Sequence, residues 1–138
     1  MYAKAVWQDG LAFNGEGRSG FQLRMDTDSG SGGNESGFRP LELLGIGLAG
    51  CTAIDVIGIL QKKRQDVTAF EVQIEVDRSG GHPNVYSKIY IKYIVTGRGI
   101  DPAAVERAIE LSRTRYCPAT AMLAKAAPIE ASYTIIPA

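Results

Sequence analysis

The feature that most constrains the fold of this chain is a long apolar segment, residues 41 to 60, with the sequence LELLGIGLAGCTAIDVIGIL. Pro40 stands directly before it and suits the first turn of a helix, because a prolyl nitrogen has no hydrogen to leave unpaired there. The negative charge of Glu42 interacts favourably with the positive end of the helix dipole, at the N-terminus. The positive charges of residues 62 to 64 do the same with its negative end, at the C-terminus. The segment therefore predicts one helix over residues 40 to 63.

The predicted helix is apolar around most of its circumference, which is not typical of a helix on the surface of a globular protein. Residues 43 to 60 are just long enough to span a membrane, but Asp55 and several glycines interrupt the apolar run. We therefore predict a helix buried between other layers of the protein, and no membrane partner.

The N-terminal third predicts a small antiparallel meander, with strands in YAKAVW, LAFNGEG and FQLRMDT. The following DSGSGGNESGF, residues 28 to 38, is rich in Gly and Ser, which prevent a packed element and predict a mobile loop. Its role is either that of a plain linker or that of a lid over a site.

The C-terminal half predicts two strands, two helices and a closing strand. FEVQIEVDRS and VYSKIYIKYIVTG alternate between apolar and polar residues, as half-exposed strands do. Asp101 and Pro102 predict the start of an amphipathic helix, and Pro118 predicts a second start with Cys117 as its N-cap. With IEASYTIIP as a closing strand, 138 residues indicate a single domain, 1–138.

Charge and compartment narrow the range of functions. Lys and Arg together number 15, as do Asp and Glu, so the chain lacks the basic patch expected of a nucleic-acid-binding protein. The N-terminus has no apolar run of the signal-peptide type, which predicts a cytoplasmic protein with reduced thiols. Two cysteines in that compartment favour a redox or catalytic use over a structural disulfide.

Each cysteine has a functional interpretation and a plainer one. Cys51 shares a helix face with Asp55 and small glycines, so a ligand or another element can approach its sulfur, but it also fits as a small core residue. The N-cap position of Cys117 favours a thiolate, but the sulfur could simply cap the helix. The only histidine, His82, lies in the turn GGHPN, so we expect neither a metal site nor a cofactor.

The segments RPLELLGIGLAGCTAIDVIGILQKKR and LSRTRYCPATAML, with the order of strands around them, resemble the OsmC/Ohr family of osmotically inducible and organic hydroperoxide resistance proteins. The resemblance covers essentially the whole chain. It implies an α+β fold with antiparallel sheets packed around long central helices, and two chains intertwined in a homodimer with active sites at the interface.

The resemblance also implies a thiol peroxidase that takes part in the oxidative stress response. Cys51 would attack the O–O bond of an organic hydroperoxide and become a sulfenic acid, and Cys117 would then resolve it to a disulfide. A dithiol reductant, for example of the lipoyl type, would restore the two thiols. One alternative is a non-catalytic dimer that binds a small apolar or thiol-containing ligand between its helices. Another is a redox sensor or a structural dimer with a stable disulfide.

The sequence departs from the pattern of the family's peroxidases at two positions. These carry an arginine in the first hairpin and a glutamate just after the proline, where this chain has Gln8 and Leu41. Glu42 follows Leu41 and matches the next position of the family pattern, which is also acidic in many members. Two substitutes for the arginine are available, Arg18 and Arg39, and Glu42 would hold the one that is used. A charged Asp55 beside Cys51 would disfavour the thiolate, so Asp55 is expected to face the partner helix or a hydrogen-bond donor.

Overall fold

The computed structural model describes residues 1–138. The chain forms two compact units, Met1–Leu44 and Gly45–Ala138. The first unit contains three strands and a folded loop. The second contains three further strands and most of the helical structure. The single domain over residues 1–138 stays a prediction.

The first unit is built on an antiparallel sheet of three strands, β1 (Ala3–Asp9), β2 (Ala12–Gly17) and β3 (Gln22–Met25), in the order β1-β2-β3. The turn between β1 and β2 needs a positive φ of 52° at Gly10, a conformation that glycine adopts without a steric penalty. The predicted N-terminal meander is confirmed.

The segment after β3 is a folded loop, so the prediction that Gly and Ser would prevent any packed element there is wrong. Its centre is the carboxylate of Asp26, which is 2% exposed and accepts hydrogen bonds from the backbone N–H groups of Thr27, Asn34 and Ser36 and from the Ser36 hydroxyl. Local propensity missed this loop because the glycines serve close packing: a Cβ at Gly33 would lie 2.2 Å from the carbonyl oxygen of Thr27.

The predicted long helix is confirmed as α1 (Pro40–Lys62). Its buried residues recur every four positions and form one stripe: Leu48, Thr52, Val56 and Leu60. Other apolar side chains of the helix lie outside the stripe, and Ile54 is 73% exposed. A single chain therefore covers only one side of α1, although the sequence predicts cover all round. By length and composition alone α1 could cross a membrane, a test that core helices of soluble proteins also pass.

The second unit contains a sheet of three strands, β4 (Asp66–Arg78), β5 (Tyr86–Arg98) and β6 (Ile129–Pro137), in the order β4-β5-β6. β4 and β5 are antiparallel, but β6 runs parallel to β5, with Ile89 opposite Ile129. The prediction of antiparallel sheets is therefore wrong for β6. The helices between β5 and β6 bring the chain back to the end of the sheet where β5 begins, as a crossover connection does.

Two helices and a π-helical turn connect β5 to β6. α2 (Pro102–Leu111) starts as predicted, with the Asp101 carboxylate accepting the N–H of Ala103 at 3.0 Å. The π turn (Ser112–Tyr116) follows, and then α3 (Pro118–Leu123). One apolar cluster joins α1, β5, α2 and the Cys117 region, including Leu48, Ile91, Val105 and Cys117. This core fixes both cysteine-bearing segments in place.

Candidate functional site

The structure brings Cys51 and Cys117 together. Cys51 is half-buried on α1, and Cys117 is 3% exposed at the N-cap of α3. The N–H of Thr120 donates to the Cys117 sulfur at 3.4 Å, and the Cys117 side chain and the Ala119 N–H lie close enough to Cys51 to affect its pKa. Both are free thiols. Two cysteines distant in sequence therefore form one reduced pair at the start of α3.

The surroundings of Cys51 favour its protonated form. Burial is the largest cause and raises the pKa of the Cys51 thiol above its ordinary value, and the neighbouring Cys117 thiol and the negative charge of Asp55 add to it. The Ala119 N–H opposes them, since a donor aimed at sulfur stabilises the thiolate. Within one chain the raising causes prevail. Cys51 is therefore mostly a thiol at neutral pH.

Asp55 lies one helical turn after Cys51 and meets a hydrogen-bond donor, as the sequence predicts. The Ser112 hydroxyl, on the first residue of the π turn, donates to a carboxylate oxygen of Asp55 at 3.0 Å. The carboxylate is thus held at a fixed position near the cysteine pair.

Three buried hydroxyl groups next to this pair are not evident from the sequence. The Thr52 hydroxyl lies 2.7 Å from the Tyr93 hydroxyl and 2.8 Å from that of Ser112, and all three side chains are fully buried. The sequence does contain a signal for Ser112, because this polar residue directly follows α2 at a position that continues its apolar stripe. Such a residue needs a buried hydrogen-bond partner. The partner itself could not be read from the pattern.

The remaining predicted site residues, Arg18, Arg39 and Glu42, belong to the first unit. Glu42 accepts the backbone N–H of Arg39 at 2.8 Å, which is half of a capping box at the start of α1. The Arg39 guanidinium pairs with Glu35 at 3.5 Å and donates to the Gly37 carbonyl at 3.0 Å. The carboxylate that holds Arg39 in this structure is therefore that of Glu35, while Glu42 accepts a backbone N–H. A role of either arginine at Cys51 stays a prediction.

An open groove of about 630 Å³ runs along α1 beside Asp55. Its wall is mostly apolar, and two lysines line it where α1 ends. The lining residues are Ile54, Asp55, Gly58, Ile59, Lys62, Lys63, Leu111 and Tyr116. No group of three or more His, Cys, Asp or Glu side chains is gathered in the way that a metal site requires.

Similar proteins identify the family. The model of the OsmC-like protein family matches residues 32–132. Protein YhfA of Escherichia coli K12 is 42% identical over all 138 residues of both chains. The crystal structure of a hypothetical protein from Aquifex aeolicus is 26% identical with a TM-score of 0.87, and covers 99% of this chain and 96% of its own.

A more distant structure has the same fold. An organic hydroperoxide resistance protein OsmC from Legionella pneumophila is 16% identical with a TM-score of 0.69, and covers 96% of this chain and 95% of its own. At that identity the likeness concerns the fold alone. The family model and the full-length similarity to YhfA are sufficient for the assignment: the chain belongs to the OsmC-like protein family.

Proposed function

We propose that the protein is a cysteine-based thiol peroxidase that reduces organic hydroperoxides. The observation that carries the proposal is the pairing of two free thiols, a half-buried Cys51 next to a buried Cys117. This is the arrangement that a peroxidatic and a resolving cysteine need. The Legionella protein of the same fold is named an organic hydroperoxide resistance protein, which agrees with that class of substrate.

In the first step the Cys51 thiolate attacks the terminal oxygen of the hydroperoxide. An S–O bond forms, the O–O bond breaks, and the alkoxide leaves and takes up a proton as the alcohol. Sulfur is oxidised to the sulfenic acid, and the peroxide is reduced by two electrons. Cys51 is the better candidate for this attack because it is the more exposed of the two cysteines.

In the second step the Cys117 sulfur attacks the sulfenic sulfur of Cys51. The S–S bond forms, the S–O bond breaks, and hydroxide leaves and becomes water with the proton of Cys117. An external dithiol, for which we propose the lipoyl type, then reduces the disulfide by thiol–disulfide exchange and is itself oxidised to a disulfide. No cofactor is needed for this cycle.

The raised pKa of Cys51 requires a compensating group in the active form. An adjacent cation favours a thiolate, and we propose Arg18 or Arg39 as its source. Asp55 works in the opposite direction. The peroxidase reaction should therefore be slow below neutral pH and faster in mildly alkaline solution.

We further propose that the working protein is a cytoplasmic homodimer whose second copy covers α1. Within one chain, apolar side chains of α1 remain exposed to solvent, such as Ile46 at 50% and Ile54 at 73%. A contiguous exposed apolar surface is typical of an interface. A second copy of the chain would bury this surface, so that α1 would be covered on all sides as the sequence predicts.

The groove beside Asp55 favours a second candidate, a non-catalytic dimer that binds a small apolar ligand. An apolar wall with a few charged groups is typical of ligand sites. The raised pKa of Cys51 is also easier to reconcile with a binder or a slow redox sensor than with a fast peroxidase. The two candidates differ in one respect, since a binder tolerates Cys51→Ala.

The deciding experiment follows single-turnover consumption of cumene hydroperoxide and of hydrogen peroxide by the reduced wild type, Cys51→Ser and Cys117→Ser. We expect fast loss of the organic hydroperoxide that requires Cys51, with a Cys51–Cys117 disulfide detected by mass spectrometry. Cys117→Ser should instead accumulate overoxidised Cys51. Equal, slow background rates in all three proteins would reject the peroxidase and leave ligand binding.

A further inference from the structure

Ser112 contacts both segments that carry a cysteine. Its carbonyl oxygen accepts the backbone N–H of Cys117 at 2.8 Å, which closes the π turn. Its hydroxyl is bonded to Asp55 at 3.0 Å and to Thr52 at 2.8 Å, both on α1. Cys51 is the residue directly before Thr52. One buried residue therefore ties the backbone of Cys117 to the helix turn that holds Cys51.

The π turn makes this connection possible. In a regular α-helix the carbonyl of residue 112 would accept the N–H of residue 116. The wider turn instead brings the N–H of Cys117 to Ser112. A π-helical turn is rare and is found frequently at functional sites. Here it sets the resolving cysteine in direct backbone contact with the residue that anchors to α1.

The hydrogen bonds around Ser112 can run in one direction only while Asp55 is ionised. The single hydroxyl proton of Ser112 goes to the Asp55 carboxylate, so Thr52 must donate to Ser112, and Tyr93 must donate to Thr52. Burial raises the pKa of Tyr93, which keeps its proton available. Each of the three buried hydroxyl groups thus has a defined partner, and the chain of bonds ends at Asp55.

We propose that Ser112 is a positioning residue for the Cys51–Cys117 disulfide: its hydroxyl, held by Thr52 and Asp55, fixes the π turn on α1 and keeps Cys117 against Cys51. The inference rests on the proposed redox use of the two cysteines and concerns only the formation of the S–S bond. Holding the attacking group in place lowers the entropic cost of the step. A loosened Cys117 closes the disulfide less favourably.

A loosened Cys117 also changes the fate of the sulfenic acid. Slower attack by Cys117 leaves Cys51 as a sulfenic acid for longer, so a second hydroperoxide can oxidise it. In that reaction a further S–O bond forms, the O–O bond breaks, and a second alcohol is released with a sulfinic acid on Cys51. The ratio of disulfide to sulfinic acid therefore reports the position of Cys117.

The test compares Ser112→Ala with wild type and with Thr114→Ala. Thr114 lies in the same π turn, and its hydroxyl donates to the Glu110 carbonyl at 2.7 Å without reaching α1, so it is a matched control. Each protein is equilibrated with glutathione buffers. We expect the disulfide of Ser112→Ala to be about tenfold less favoured, about 30 mV in reduction potential, and that of Thr114→Ala to stay within about twofold of wild type.

A second pair of variants keeps the test valid if Ser112→Ala does not fold. Asp55→Asn and Asp55→Ala both remove the charge, but only Asn retains an oxygen that can accept the Ser112 hydroxyl. We expect Asp55→Ala to weaken the disulfide equilibrium and Asp55→Asn to leave it close to that of wild type. Equal effects of the two, or a folded Ser112→Ala protein with a wild-type equilibrium, would overturn the proposal.

The glutathione measurement needs no hydroperoxide, so it separates this inference from the peroxidase proposal. A wild-type protein that is inert towards hydroperoxides, with a disulfide weakened by Ser112→Ala, would reject the peroxidase and support the positioning role. A wild-type protein that forms no Cys51–Cys117 disulfide in oxidised glutathione would overturn the positioning role. In an active peroxidase, a higher fraction of sulfinic Cys51 in Ser112→Ala than in Thr114→Ala would support it further.

Discussion

The hydroxyl oxygens of Thr52 and Tyr93 lie 2.7 Å apart at a point where both side chains are completely buried. Thr52→Val keeps the shape of the side chain but leaves the Tyr93 hydroxyl without this partner and Ser112 without its donor. We expect the variant to lose about 1–3 kcal/mol of unfolding free energy, because a buried polar group left unpaired bears its full desolvation cost. Urea denaturation measures the loss.

Tyr93→Phe is the control for that prediction. It removes the outermost donor, while Thr52 keeps its bond to Ser112, so we expect a smaller loss of about 0.5–1.5 kcal/mol. A Thr52→Val protein as stable as wild type, or one more stable than Tyr93→Phe, would contradict the view that Thr52 is the central member of the network.

The reactivity of Cys51 should depend on pH in a way that Asp55 controls. A thiol reacts as its thiolate, and burial, Cys117 and Asp55 all raise the Cys51 pKa, so alkylation of Cys51 should reach half its maximal rate above the pH typical of an exposed cysteine. Removal of a negative charge favours the thiolate. We expect Asp55→Asn to shift the midpoint of Cys51 alkylation to lower pH. Mass spectrometry of the iodoacetamide adduct, formed at a series of pH values, measures this midpoint.

Glu110→Gln removes an exposed carboxylate of α2 and serves as the charge-matched control, for which we expect the wild-type midpoint. A midpoint that does not move in Asp55→Asn would show that the Asp55 charge does not reach the sulfur.

The exposed face of α1 should be the dimer interface. Ile54→Lys places a charge at its most exposed isoleucine, and a charge in an apolar interface is costly to desolvate. In sedimentation velocity we expect wild type to sediment as two chains and Ile54→Lys as one chain of 14.8 kDa. The control Ile136→Lys changes an isoleucine of β6 that is 44% exposed and should stay dimeric. A monomeric wild type would contradict the prediction.

The folded loop after β3 should depend on the charge of Asp26. Its hydrogen bonds, first the one from the Ser36 hydroxyl and then the one from the Thr27 N–H, lower its pKa from 3.8 to about 2. A carboxyl whose pKa is lower in the folded state stabilises the protein above the unfolded pKa, and this contribution disappears as the pH falls through the folded value. Asp26→Asn should therefore melt below wild type at pH 5.

The two melting temperatures should converge between about pH 4 and pH 2, because wild-type Asp26 takes up its proton in that range. Circular dichroism melts at several pH values test this expectation. A difference that persists unchanged down to pH 2 would mean that the hydrogen-bonded carboxylate is not what stabilises the loop.

Prediction from sequence succeeded where short-range chemistry decides the structure. Pro40, Pro102 and Pro118 each begin a helix because proline fits the first turn, and Asp101 caps α2 with its own side chain. The alternating residues of β4 and β5 form paired strands. These signals lie within a few residues of the structure that they determine.

Prediction failed where the partner of a residue lies far along the chain. The parallel pairing of β6 depends on how α2 and α3 cross the sheet, which a run of alternating residues does not record. The glycines of the loop between β3 and α1 predict that no packed element forms there, but Gly33 and Gly37 allow backbone segments to pack closely. Glu42 is predicted to hold either Arg18 or Arg39, but the guanidinium of Arg39 binds Glu35, four residues before it.

The sequence by itself determined the helices, the strands and the two cysteine motifs, and with them the family of this protein. Only the tertiary structure decided that Cys117 lies against Cys51 and that Ser112 is bonded to Asp55 and Thr52. The physical reason is that helix caps and strand alternation are local properties of the chain. The packing of the π turn on α1 is set by a core whose members, such as Leu48, Tyr93 and Val105, come from widely separated segments.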